Sequence, residues 1–164
     1  MILPTTNGTT INQAREALYA HFLANWNELV MVLLEAWGLS LPVLTGQPLV
    51  PYALGDETME PPNGPWVRLT VRHGPTSQET LGTCGNRNFE RLGRVFVQGF
   101  DVPGGDERTL DLVMEAVRQV FEGRTIQPLA IRFNAVEVSE LGVIEGGRWQ
   151  AALAEAPFDY TTRK

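Results

Sequence analysis

Few residues in this chain could do chemistry near neutral pH. It has two histidines, His21 and His73, one cysteine, Cys84, and one lysine, Lys164. Histidine is the usual general base and metal ligand, but neither one has a histidine, cysteine or carboxylate at ligand spacing. Both read as surface or helix-flank imidazoles. One cysteine allows no intramolecular disulfide and no thiolate cage. With one lysine, at position 164, Schiff-base and lysine–phosphate chemistry have no candidate. No Gly-x-Ser-x-Gly elbow or Gly-Lys-Ser/Thr phosphate loop is present. The run Gly82-Thr83-Cys84-Gly85 follows a polar segment rather than a strand opening into a helix, so it lacks the context of a nucleotide loop. Of the carboxylate pairs, Asp106–Glu107 suits the positive end of a helix, and Asp111–Glu115 reads as a solvated face. The residues point to no catalytic centre, no metal and no cofactor.

Charge narrows the partners. The formal net charge is -6 and the pI about 4.9. Gripping a phosphate backbone takes clustered Lys and Arg that displace counterions, so a DNA-holding protein is disfavoured. A surface that lets DNA pass is not. Hydrophobic content of 43% and charged content of 20% fit a globular domain rather than a disordered chain, and 164 residues suffice for one domain, 1–164. Met1 to Thr5 has no basic n-region or apolar h-region, so no signal peptide is expected. The most apolar run, Leu29 to Leu34, is far shorter than the roughly 18 residues of a membrane span, and a soluble protein in a reducing compartment is expected.

The elements that must position these residues follow from periodicity. Thr10 and Gln13 stand at capping-box spacing. Apolar residues then recur from Ile11 through Ala14, Leu18, Phe22, Trp26, Val30 and Leu33 to Trp37 at helical spacing, and Gly38 is a natural stop. Asn25 and Asn27 mark a place where this helix could divide, but the continuous stripe favours one helix. Leu39 to Pro65 reads as irregular, with a short strand around Val43-Leu44-Thr45 and an exposed loop from Gly55 to Gly64. From Trp66 to His73 the pattern alternates, with Val67, Leu69 and Val71 on one face and Trp66, Arg68, Thr70 and Arg72 on the other. That second face suits either contact with another chain or plain solvation. Gly74 to Gly93 reads as a polar hairpin or extended arm. It leads into a strand from Arg94 to Val102 with apolar groups on both faces.

Asp106 can cap a second helix carrying Leu110, Val113, Met114, Val117, Val120 and Phe121 and stopped by Gly123. Leu129 to Ala135 alternates, and the phase shift at Val136 implies a bulge or a change of face. Gly142 to Gly147 supplies turn residues, and Arg148 to Tyr160 returns to complete a long hairpin. The predicted fold is α+β: one mainly antiparallel sheet, two helices on one face and an extended hairpin arm. A crossover around the second helix would make part of the sheet parallel. A small-molecule module with Trp26 and Trp37 in the wall of an apolar pocket is a rival reading.

Several motifs recur in a recognisable order. They are Trp66-Val-Arg-Leu-Thr-Val-Arg-His-Gly74, Leu81-Gly-Thr-Cys-Gly-Asn-Arg-Asn-Phe-Glu-Arg-Leu-Gly93, Val95-Phe-Val-Gln98, Phe121-Glu-Gly123 and Ala156-Pro-Phe-Asp-Tyr160. Ala14 to Leu18, with Phe22 and Trp26, fits the same order. The set resembles a family of small phage proteins similar to the tail-terminator and tail-completion proteins of siphoviruses. Asn27 to Ser40 is longer and more apolar than that pattern, and Thr45 to Val50 replaces its Asn-x-x-Phe segment. The resemblance implies a virion protein, assembled in the bacterial cytoplasm, that forms a hexameric ring at the head-proximal end of the tail. It would contact the tail tube protein and head–tail connector proteins while DNA passes through its lumen. Another neck component, such as a connector or stopper, would have much the same composition. Ring closure needs a head-to-tail interface, for which the exposed extended residues Arg68, Arg72, Gln78, Arg87, Phe89 and Arg91 are the candidates.

Overall fold

A computed structural model describes residues 9–43, 45–81, 83 and 86–163. Cys84, the adjoining Gly82 and Gly85, Leu44, Lys164 and the first eight residues lie outside the described residues.

Helix α1 runs Ile11–Trp37 without division. The Thr10 hydroxyl accepts the Gln13 amide at 3.1 Å, and the Gln13 side chain accepts the Thr10 amide at 2.9 Å. Gly38 closes the helix in the left-handed region at φ 65°, where an L side chain would be strained. By length and composition α1 is apolar enough to cross a membrane, which the short run Leu29–Leu34 does not reveal. In the fold its stripe of Ala14, Leu18, Phe22, Trp26, Val30, Leu33 and Leu34 is buried in the core.

The irregular segment that follows holds strand β1, Tyr52–Leu54. Val43 and Thr45 are not in a strand, so the short strand lies later than the Val43–Thr45 pattern implies. The stretch is set by a tertiary contact: the Trp26 indole Nε1 donates to the Val50 carbonyl at 3.0 Å, anchoring the chain beside β1.

Strands β2, Trp66–Gln78, and β3, Asn88–Asp101, form a hairpin. Both run into the segment read as an arm, with a register irregularity between His73 and Thr76. Helix α2, Glu107–Phe121, is capped by Asp106. Beyond it come β4 (Thr125–Ile126), β5 (Ile131–Phe133), β6 (Glu137–Ile144) and β7 (Trp149–Arg163). The sheet order is β1-β2-β3-β7-β5-β4, with β6 also paired to β7.

β7 therefore changes partner along its length. Its start, Trp149 to Glu155, pairs with β6, while Phe158 and Asp159 pair with β5. This explains the phase shift at Ala135–Val136, where one strand ends and the next begins. The irregularity within the hairpin falls instead between Glu140 and Gly142. Gly142 belongs to β6, and the turn itself is Glu145–Gly147. Among the described residues the parallel pairing is β1 with β2; β3 and β5, which precede and follow α2, also run parallel to each other, with β7 antiparallel between them.

Both helices lie on one face. Phe22 of α1 stacks 6.4 Å from Phe121 of α2, and the His21 Nε2–H donates to the Val120 carbonyl at 2.8 Å. Helix α2 settles onto the sheet at Gly99, where an added Cβ would lie 2.4 Å from Met114 Cε. The architecture is α+β, two helices on a curled mixed sheet.

Candidate assembly surface

The residues singled out for chemistry are dispersed. His21 ties the two helices together. His73 sits between Phe158 and Tyr160, at ring distances of 5.5 and 6.0 Å, with neither ring nitrogen hydrogen-bonded among the described residues. Burial lowers its pKa, and Arg15 and Arg91 lower it further. Asp106 accepts the Arg108 amide and pairs with its guanidinium at 2.7 Å, and these bonds hold its carboxyl below the usual range. Glu115 shares Arg118 with Glu122 on the exposed side of α2. Among the described residues no three His, Cys, Asp or Glu are grouped as a metal would require.

The two indoles proposed to frame a pocket do not do so. Trp26 is buried and stacks on Phe22 at 4.8 Å. Trp37 is exposed at the end of the helix, about 16 Å further along the axis.

The six residues proposed for an interface fall into distinct roles. Arg68 Nη1 donates to the Gly55 and Glu57 carbonyls, each at 3.0 Å, so it holds the loop before β2. Arg91 reaches Thr162 through Nε at 3.3 Å and Thr76 through Nη1 at 2.7 Å, lacing the three strands of the arm together. Gln78 is exposed and donates to the Thr80 carbonyl. Phe89 is half-buried and Arg87 exposed. Arg72 is exposed on β2 and in no ion pair among the described residues. Trp66, which alternation placed on the open face, is buried: it stacks on Phe100 at 4.4 Å beside Trp149, with Met59 and Ile144 packed against the group.

The arm is more than a hairpin. β7 pairs with β3 as far as Arg163 opposite Asn88, so three strands, not two, run out together.

Strand β6 was not among the predicted interface residues. It pairs with β7 on one side, and no described strand pairs with its other side. Seven of its eight residues are exposed, including Val138, Val143 and Leu141 within it. Of the devices that blunt open edges, β6 has two glutamates and the irregularity between Glu140 and Gly142, but no proline or lysine. The signal in the sequence was Glu137 with Glu140. Residues three apart point to opposite faces of a strand, so charge at both marks a strand wet on both sides.

A row of charges crosses the face of the sheet opposite the helices. Arg72 on β2 lies directly across from Arg94 on β3, and Glu137 on β6 directly across from Glu155 on β7. Like charges in such positions repel. Arg94 and Glu155 pair at 2.8 Å in the middle. That leaves a cation on β2, just past the stretch that β1 covers, and an anion at the β6 edge.

No family model matches the sequence, and no curated protein matches it. Among solved structures, one chain whose name carries no function superposes with TM-score 0.50 at 15% identity, covering 92% of this chain and 95% of that one. A chain from the virion of a native gene transfer agent particle gives TM-score 0.47 at 13% identity, covering 92% and 94% respectively. The first of these shows that the fold, over nearly its whole length, is shared.

Proposed function

We propose that this protein is a non-enzymatic virion subunit that self-assembles into a closed ring capping the phage tail tube. In that role it ends tube polymerisation and presents a surface to the head–tail connector proteins. The observation that carries the reading is β6, an eight-residue strand, seven of whose residues are exposed and whose outer side pairs with no described strand, on a domain that already has a filled core. Such an edge seeks another strand, and within a symmetric assembly that strand belongs to another copy or a neighbouring subunit. The ordered motifs from Trp66 to Gln98 and the terminal Phe-Asp-Tyr support the tail-terminator version. The net charge of -6 suits a lumen through which DNA slides, because weak repulsion does not arrest a polyanion as a basic lining would. The protein would be located at the head-proximal end of the tail, after assembly in the host cytoplasm.

Light scattering with mass determination, followed by negative-stain microscopy, tests this. The expected result is a hexamer seen as rings with a central hole of DNA-passing width. A monomer at micromolar concentration, with no rings even when tail tube protein is added, refutes it.

A further inference from the structure

The charge row has a direction. Across β2, β3, β7 and β6 it reads Arg72, Arg94, Glu155, Glu137, and the two central members neutralise each other. The end members cannot meet within one copy. Three inter-strand spacings and a two-residue offset put them about 16 Å apart, beyond the screening length at physiological salt, with the Arg94–Glu155 pair between them. Each end also carries a like charge beside it that an outside partner of opposite sign would relieve.

We propose that copies associate head to tail, the β6 edge of one against the part of β2 beyond β1 in the next, with Glu137 answering Arg72. The inference rests on the self-assembly reading and specifies its interface. Two further observations fit. Beside Arg72 lies a cleft of about 280 Å³ lined by Arg72, Arg94, Pro75, Leu92 and Phe96. Two guanidinium groups over an apolar floor suit a carboxylate flanked by aliphatic side chains, and β6 offers that combination in Glu137 and Glu140 with Val138, Leu141 and Val143. On β2 the residues 67–69 are covered by β1 and Pro75 has no amide to donate, so backbone pairing with β6 is confined to the residues between them and side chains carry the rest of the contact. A contact between two different patches is heterologous and continues from copy to copy until it closes.

The test uses Arg72→Glu and Glu137→Arg, separately, together in one chain, and as an equimolar mixture of the two single variants. Both positions are exposed, and a thermal melt of each variant checks that the monomer is folded. Each single variant places like charges across the contact, so association should weaken at least about tenfold. The double variant should recover it. In the mixture every contact regains opposite charges, so assemblies of wild-type mass, with the two variants alternating, should form from components that do not assemble alone. Single variants that assemble like wild type overturn the pairing but leave the ring reading intact. So does a failure of both the double variant and the mixture to recover assembly. A mixture that stops at dimers overturns the head-to-tail arrangement. A monomeric wild type overturns the ring reading, and the pairing falls with it.

Discussion

Replacing Gly93 by alanine tests how the arm is joined to the body of the domain. Gly93 lies on β3 opposite His73 of β2 and Phe158 of β7, at the level where the three-stranded arm leaves the sheet. A Cβ there would stand 2.3 Å from Phe158 Cζ and 2.8 Å from the Arg72 carbonyl oxygen. Ordinary contacts between carbon atoms lie near 3.5–4.0 Å, so the ring would have to move by more than about 1 Å. The ring has little room to do so, because Phe158 is buried against His73 and Phe133. The carbonyl belongs to β2 backbone, which can yield only by bending the strand. Overpacking of this kind costs about 1–3 kcal/mol, and for a domain of this size each kcal/mol lowers Tm by roughly 2–4 °C. Gly93→Ala should therefore melt roughly 2–12 °C lower. Hydrogen exchange should quicken at the amides of Asn88 to Arg91, beyond the junction. In a Phe158→Leu background the penalty should shrink, since the closest contact is gone, making the two substitutions less than additive. An unchanged melt in Gly93→Ala, or full additivity of the pair, would refute this account of the junction.

Trp26→Phe keeps an aromatic ring beside Phe22 but leaves the buried Val50 carbonyl without its donor. It should destabilise by about 1–3 kcal/mol, measured by denaturant titration, with the loss of order greatest in the segment before β1. His73 has a folded pKa below its ordinary 6.5 because of burial and the nearby Arg15 and Arg91, so the unfolded chain takes up the proton first. Its contribution to stability is full above about pH 6.5, declines as pH falls through the folded value, and is level below that. Comparing melts of wild type and His73→Gln from pH 8 to pH 5 should show a shallower acid decline in the variant, and parallel curves would count against it. Arg68→Ala removes both bonds to the Gly55 and Glu57 carbonyls. Limited proteolysis should then cut between Gly55 and Gly64 at least several-fold faster, with the melt little changed.

Much of the local structure was legible in the residues. The Thr10–Gln13 capping box, the apolar stripe and Gly38 defined α1 because capping and amphipathicity act within one or two turns. Asp106 before a helical stripe did the same for α2. The alternation of Val67, Leu69 and Val71 identified the buried face of β2. The Val43–Thr45 pattern misled because β1 forms where Trp26, 24 residues earlier in the chain, anchors Val50. Trp66 was assigned to the open face because alternation gives a side but not what covers it. Here Phe100, Trp149 and Met59 do, and the two aromatic partners come from distant parts of the chain.

The candidate surface divides in the same way. The amino-acid sequence by itself determined that catalytic residue types are scarce and that arginines gather on extended segments. That Glu137 and Glu140 lie on one exposed strand was visible only in the fold, because the residues from Gly142 read as a turn. Only the tertiary structure decided which arginines are already engaged: Arg68 and Arg91 are held inside the chain, while Arg72 is in no ion pair among the described residues. It alone put Arg72 beside Arg94 and Glu137 beside Glu155 and left β6 open along one side. The physical reason is that cross-strand register is set by which strands become neighbours. That depends on burying two helical stripes and one sheet face together, a constraint no single window of sequence contains.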